Sequence, residues 1–353
     1  MKILQNIDTH EKVVRVEDKA TGLIAYIAIH STLLGPATGG CRLFDYETEG
    51  DALADTLRLS KGMTYKNAIA DVGLGGGKSV IMGPLDPSKR EAAFIAFGRA
   101  VHQLGGDYIA AEDVGVSVND IHNIAKSTKF ATGLGDNGNG FGGDPAPYTA
   151  LGVLGGIKAT AHFALKRSDL EGVRIAIQGI GSVGSRLCKL LSDSGAKLVV
   201  ADIDSAKITE VCDLYQAEPS SLNDILLSDV DIIAPCAMGR AITVDIAKSM
   251  RAVAIAGAAN NQLASPLAGE VLFNRQIAYA PDYVINAGGI IMAGAEYLKN
   301  LTEAKMTKKI DEIYGRILGL HVQSKHEQKP SYLLADKLAE DIFAKAFLER
   351  EVA

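Results

Sequence analysis

The chain has 353 residues, 47% apolar and 22% charged, with a net charge of -6. That length exceeds one ordinary core and predicts two domains, and the composition excludes a disordered polymer. No block of lysine or arginine offers a nucleic-acid surface, no apolar run is long enough to span a membrane, and the opening Met1-Lys2-Ile3-Leu4-Gln5 lacks a secretion signal's apolar core.

A soluble cytoplasmic protein is therefore expected, with no nucleic-acid or membrane partner. The first third reads as strands followed by helices. Val13 to Val16 and Leu23 to Ile29 are β-rich runs separated by Asp18, Thr21 and Gly22. Apolar spacing predicts helices over Gly50 to Met63 and Ala92 to Leu104. Tyr108 to Ala111 is a short strand, and Glu112-Asp113-Val114-Gly115 is the turn at its carboxyl end. Thr132 to Pro147, with its glycines, asparagines and prolines, is a loop or interdomain linker. Thr149 to Leu165 is helical.

From Val173 the pattern alternates. Strands are predicted at Val173 to Gln178, Lys197 to Ala201, Asp231 to Pro235, Ala252 to Ala256 and Ile277 to Ala280. The first two are followed by helices, at Ser182 to Ser194 and Ile203 to Leu214. Near-continuous apolar strands alternating with helices predict a parallel, doubly wound sheet. The tail is amphipathic and helical over Ile310 to Leu320 and Ala335 to Leu348. Cys41, Cys188, Cys212 and Cys236 are scattered, as are the seven histidines, so free thiols and no metal site are expected.

Gly179-Ile180-Gly181-Ser182-Val183-Gly184 follows the Val173 strand and opens a helix. Gly179 permits the tight turn, Gly181 lets a pyrophosphate approach the backbone, and Gly184 lets helix and strand pack closely. The helix N-terminus offers unpaired N–H groups to the phosphates. Asp202 ends the next strand, where a carboxylate accepts hydrogen bonds from ribose hydroxyls. With Asp204 beside it and no adjacent arginine, NAD is expected rather than NADP.

Lys66 and Lys78 flank a glycine-dense bend, Gly73-Leu74-Gly75-Gly76-Gly77, among small and apolar residues. Two lysines placed together there would repel each other, favouring a neutral amine in one of them. One suits a substrate carboxylate as a cation, and a neutral one suits general base work. Gly77-Lys78-Ser79 also looks like the end of a phosphate-binding loop. The glycine required five residues before Gly77 is replaced by Val72, which disfavours a nucleotide triphosphatase. Asp113 alone would read as a cap or turn residue; beside the lysines it becomes a candidate proton carrier.

Several motifs occur in order: Gly39-Gly40-Cys41-Arg42, Met63-Thr64-Tyr65-Lys66-Asn67, Gly75-Gly76-Gly77-Lys78 and Ala111-Glu112-Asp113-Val114-Gly115. Further on come Asp144-Pro145-Ala146-Pro147, Gly257-Ala258-Ala259-Asn260-Asn261-Gln262 and Ala280 to Gly289. This series resembles the amino acid dehydrogenase superfamily, in the branch of leucine, valine and phenylalanine dehydrogenases. The resemblance implies two α/β domains separated by a cleft that closes during hydride transfer: a Rossmann-type NAD-binding domain at 134–324, and a substrate and oligomerisation domain at 1–133 plus 325–353.

It also implies NAD-dependent oxidative deamination of a branched-chain L-amino acid to the 2-oxo acid and ammonia by a homo-oligomer. Lys66 would hold the substrate carboxylate with Gly39, Gly40 and Asn261. Lys78 would activate the water that attacks the iminium, and Asp113 would relay protons. Gly179, Gly181, Ser182, Val183, Gly184, Asp202, Thr149 and Asn286 would contact NAD. Thr38, Ala111, Ile290 and Ala293 would line the substrate pocket. Ala111 and Asn260-Asn261-Gln262 match the leucine type. Cys236-Ala237-Met238-Gly239 leans toward the phenylalanine type, and Thr38 and Ala293 depart from the leucine pattern. Leucine is the expected substrate, phenylalanine the alternative. A catalytically silent NAD-binding protein is disfavoured by the intact Lys66, Lys78 and Asp113.

Overall fold

The computed structural model describes residues 1–4, 7, 9–135, 141–237 and 239–352, with 351 and 352 described by backbone alone. The linker expected over 132–147 lies outside the described residues at 136–140, and so does Met238. The chain divides into two compact units. One is Met1–Asp144 with Ile290–Ala304 and Ala339–Ala353; the other is Pro145–Gly289 with Lys305–Leu338.

The first unit contains β1 (Lys2–Leu4), β2 (Lys12–Asp18), β3 (Leu23–Ser31), β4 (Ala37–Phe44), α1 (Glu49–Ala70), β5 (Gly75–Met82), α2 (Arg90–Gln103), β6 (Tyr108–Glu112) and α3 (Val118–Ala125). The strands form one sheet in the order β1-β2-β3-β5-β4-β6. The pairs from β1 to β5 are antiparallel, and β5-β4 and β4-β6 are parallel. Leu23, Ile27, Phe94, Phe97, Tyr108, Ile121 and Ile124 fill the core beneath one face.

Helix α1 runs a full two turns beyond the Met63 end expected from apolar spacing. Its buried stripe is Ala52, Thr56, Ser60, Thr64 and Ala68, small and partly polar, so it carries little apolar signal. Thr56 and Thr64 satisfy their hydroxyls on Ala52 O and Ser60 O, one turn back. Only small residues fit because α1 lies directly on β5: a Cβ at Gly76 would come 1.9 Å from Thr64 Oγ1. The expected glycine-dense bend is therefore corrected. The turn is confined to Asp71–Leu74, and Gly75, Gly76 and Gly77 are strand residues whose missing side chains admit their neighbours.

The second unit begins with α4 (Ala146–Leu165), then β7 (Arg174–Gln178), α5 (Ser182–Asp193), β8 (Lys197–Ala201), α6 (Ser205–Tyr215), β9 (Glu218–Pro219) and β10 (Ile232–Pro235). It continues with α7 (Val244–Ser249), β11 (Ala254–Ile255), α8 (Pro266–Asn274), β12 (Ala278–Tyr279) and α9 (Asp282–Ile285). The last helices are α10 (Gly288–Leu298), α11 (Glu303–Glu327) and α12 (Ser331–Val352), each passing from one unit to the other. The sheet order is β12-β11-β10-β7-β8-β9 and every pair is parallel. This is the doubly wound Rossmann order, with its switch point between β7 and β10.

The chain changes unit at 144/145, 289/290, 304/305 and 338/339. Glu296 of α10 is buried and accepts hydrogen bonds from the backbone N–H groups of Gly133, Leu134 and Gly143, which ties the linker to the first unit. Residues as far as Asp336 stay with the second unit because Ser331 Oγ donates to Tyr279 O and Tyr283 Oη donates to Asp336.

Candidate active site

In the first unit, β4, β5 and β6 lie side by side and present their carboxyl-terminal halves together. Gly40 of β4 pairs with Ala111 of β6. Lys78 lies in the middle of β5, and its side chain is only 7% exposed. Its ammonium is 2.5 Å from Asp113 Oδ2, just beyond the end of β6. Gly40 is the close approach that leaves room for this pair. A Cβ there would lie 2.5 Å from Asp113 Cβ and 3.0 Å from Lys78 Nζ.

Asp113 has a second cation. Arg42 Nε donates to Asp113 Oδ2 at 3.2 Å, while Arg42 Nη1 donates to Asp55 Oδ2 at 3.0 Å. Asp55 in turn accepts from Tyr46 Oη and Arg58. Burial by itself would raise the Asp113 carboxyl. The Lys78 and Arg42 charges outweigh it and hold the group down at about 2. Asp113 is therefore an ionised carboxylate shared by two cations. Arg42 and Asp55 escaped the sequence reading; the signal available was an arginine inside the Gly39 to Arg42 motif, with no indication of what it would touch.

Behind these residues the backbone is fixed. Tyr108 Oη donates to Gly39 O at 2.8 Å and sits 2.9 Å from Ser79 Oγ. Burial pushes the Tyr108 phenol far above its ordinary value and the Cys41 thiol up to about 12, so both stay neutral. Lys66 lies half-buried in α1, one turn after Met63, whose side chain covers Gly39. Lys66, Lys78, Asp113, Gly39, Gly40 and Ala111 thus belong to one neighbourhood of the first unit. Thr38 is buried with its hydroxyl donating to Ile109 O at 3.2 Å, so it offers no free donor. Ile290 and the half-buried Ala293 lie on α10. The carbonyl of Ala293 accepts from Thr132, and the adjoining Gly294 packs on Val72 and Leu74, just before β5.

Asn261, Thr149, Asn286 and the glycine motif all belong to the second unit. Gly179 closes the β7–α5 turn at φ 98°, a conformation costly for any other residue, and a Cβ at Gly184 would meet Gly179 O at 2.0 Å. Nothing stands within 4 Å of the Cβ position of Gly181, and Ser182 and Val183 form the first turn of α5. Asp202 Oδ2 accepts from Ile180 N at 2.5 Å and Oδ1 from Asp204 N at 2.9 Å. Burial would raise this carboxyl, but the backbone N–H bonds lower it. The next residue, Ile203, is 90% exposed at the end of β8, an apolar surface beside the motif that the sequence reading did not single out.

Thr149 opens α4 with its hydroxyl on Pro145 O, and it lies against Gly289. Asn286 donates both amide hydrogens, to Ala258 O at 3.0 Å and to Asn260 Oδ1 at 2.8 Å. Its buried Oδ1 has no partner. A dinucleotide fits this donor and acceptor set: phosphates at the α5 N-terminus, ribose hydroxyls at Asp202, and a carboxamide N–H₂ at the orphaned Asn286 Oδ1.

Residues 5–130 match the family profile described as Glu/Leu/Phe/Val dehydrogenase, dimerisation domain, and residues 203–340 match Glutamate/Leucine/Phenylalanine/Valine dehydrogenase. The chain is 43% identical to a leucine dehydrogenase of Geobacillus stearothermophilus over 97% of this chain and 93% of that protein. It is 45% identical to a leucine dehydrogenase of Bacillus subtilis over 96% and 93%. Among solved structures, an L-tryptophan dehydrogenase from Nostoc punctiforme superposes with a TM-score of 0.82 at 38% identity, covering 96% of this chain and 97% of that one.

Proposed function

The chain belongs to the Glu/Leu/Phe/Val dehydrogenase family, and from that premise we propose that it oxidatively deaminates a branched-chain L-amino acid, leucine first, to the 2-oxo acid and ammonia with NAD. The observation that carries this reading is the pair formed by the buried Lys78 and the half-buried Asp113 at 2.5 Å, packed against a glycine at position 40.

Lys66 supplies the fixed positive charge for the substrate carboxylate, helped by the Gly39 and Gly40 backbone. When bound, NAD supplies the acceptor for the hydride that leaves the substrate Cα. Lys78 takes a proton from the water that adds to the resulting iminium carbon, and Asp113 passes a proton to the departing amine. The two act as one coupled unit. Held between two cations, Asp113 accepts a proton only while Lys78 is neutral, so a single proton moves between them. Gly179, Gly181, Ser182, Val183, Gly184 and Asp202 hold the pyrophosphate and adenosine ribose, with Thr149 and Asn286 at the nicotinamide. A 2′-phosphate would meet the Asp202 carboxylate, which favours NAD over NADP.

The two leucine dehydrogenase relatives support the branched-chain assignment. We assign the lining of the substrate pocket to Ala111, Ile290, Ala293 and Thr38, whose hydroxyl is already used on Ile109 O. The likeness to the tryptophan dehydrogenase structure, together with the small Ala293, supports a second reading with an aromatic substrate. The dimerisation-domain profile and the exposed Ile3 on edge strand β1 support a homo-oligomer. Initial rates of NADH formation with L-leucine, L-valine, L-isoleucine, L-phenylalanine and L-tryptophan, with NAD and NADP, test the assignment. Leucine with NAD should give the highest kcat/KM. Absence of turnover with every L-amino acid, despite NAD binding, would rule out the enzyme reading.

A further inference from the structure

Gln262 is fully buried in the second unit and has no part in the chemistry above. Its Nε2 donates to Gly257 O at 2.8 Å and to Ala259 O at 3.0 Å. Both acceptors are backbone carbonyls, so the orientation of the amide is not in question. The carbonyl between them, Ala258 O, accepts from Asn286. Three successive carbonyls are thus capped by two side-chain amides.

The backbone around Gln262 is equally committed. Its N–H donates to Asp282 Oδ2 at 2.9 Å, and Asp282 Oδ1 accepts from Tyr283 N at 2.7 Å. Gln262 O accepts from Ile242 N, and Asn261 O accepts from Arg240 N at 2.6 Å. Asn261 itself sits at φ 51°, a left-handed conformation that asparagine tolerates but that its surroundings must maintain. With the donors of Asn286 used up on this loop, its Oδ1 remains a buried acceptor without a donor, a costly state that a ligand N–H relieves.

We propose that Gln262 is a positioning residue for the nicotinamide end of the cofactor. It locks the 257–261 loop, so that Asn286 is held with Oδ1 ready for the carboxamide N–H₂ and Asn261 is kept in its left-handed turn. Asp282 holds Gln262 in place from the other side. The inference rests on the NAD reading given above.

The test compares NADH with ADP-ribose, which keeps the adenosine, pyrophosphate and second ribose but lacks nicotinamide. NADH binding is followed by fluorescence titration and ADP-ribose by calorimetry. Gln262→Met should weaken NADH on the order of tenfold, the scale of one to two hydrogen bonds, while ADP-ribose stays within about twofold of wild type. Asp282→Asn, which keeps one oxygen, should give the same split to a smaller degree and decides the matter if Gln262→Met does not fold. Unchanged NADH affinity, or a parallel loss of both ligands in both variants, would overturn the proposal. Wild-type protein that binds neither ligand would overturn the cofactor reading itself.

Discussion

Replacing Gly40 with alanine adds one carbon at the point where the Lys78–Asp113 pair is most crowded. The new Cβ would stand 2.5 Å from Asp113 Cβ, 2.9 Å from Glu112 O and 3.0 Å from Lys78 Nζ. Carbon atoms in contact sit at roughly 3.5–4 Å, so Asp113 or β4 has to move by about 1 Å. Arg42 and Lys78 both grip the same Asp113 oxygen, so the strain reaches the ion pair directly. Overpacking of this kind costs about 1–3 kcal/mol of stability. A displacement of about 1 Å at a reacting group costs on the order of 100-fold in rate. Steady-state kinetics with L-leucine and NAD, beside thermal unfolding and NADH titration, measure these quantities separately. The expected result is a hundredfold-scale loss of kcat/KM with NADH binding intact. Gly62→Ala serves as the control: that position on α1 has nothing within 4 Å of its Cβ, so a gain of about 0.5–1 kcal/mol and unchanged kinetics are expected. A Gly40→Ala enzyme with kcat/KM within about threefold of wild type would refute the crowded-pair geometry.

His321 predicts acid sensitivity of the second unit. It is buried against Phe163 and Thr160, and burial lowers it from 6.5 to about 4. The unfolded chain takes up this proton near pH 6.5 and the folded chain only near 4, so the contribution is complete above 6.5 and is lost as the pH falls to 4. About 3 kcal/mol is at stake. Denaturant unfolding at pH 7.5 and 4.5 should show a smaller difference in His321→Leu than in wild type; equal differences would contradict the assignment. Asp202→Ser removes the carboxylate that a 2′-phosphate would meet, and the NAD to NADP ratio of kcat/KM should fall by about tenfold or more. NAD should also weaken, since Ile180 N and Asp204 N lose their acceptor. An unchanged ratio would show that specificity is set elsewhere.

The second unit was legible because most of its strands are buried apolar runs, the first two followed by clear helices, whereas the exposed edge strand β9 (Glu218–Pro219) carries no such signal. The Gly179 to Asp202 spacing followed from that register. Strand β4 was not legible: the paired Gly39-Gly40 disfavour a strand, and its place between β5 and β6 is set by pairing. The end of α1 was hidden for a related reason, since beyond Met63 its buried residues are Thr64, Asn67, Ala68, Ile69 and Ala70, mostly small or polar. At the site, Lys66, Lys78 and Asp113 were visible as charged residues among small and apolar ones. Arg42 and Asp55 were not, because their link to Asp113 joins positions far apart in the chain. Glu296 illustrates the same limit: it acts on backbone groups of a loop far earlier in the chain, and only the fold reveals which loop it meets.

The most direct measurement is the product balance of wild type against Lys78→Ala with L-leucine and NAD. Wild type should form NADH, 4-methyl-2-oxopentanoate and ammonia in equal amounts. Lys78→Ala should form none at a measurable rate while binding NADH with unchanged affinity. Normal turnover in that variant would contradict the assignment of the Lys78–Asp113 pair as the centre of the reaction.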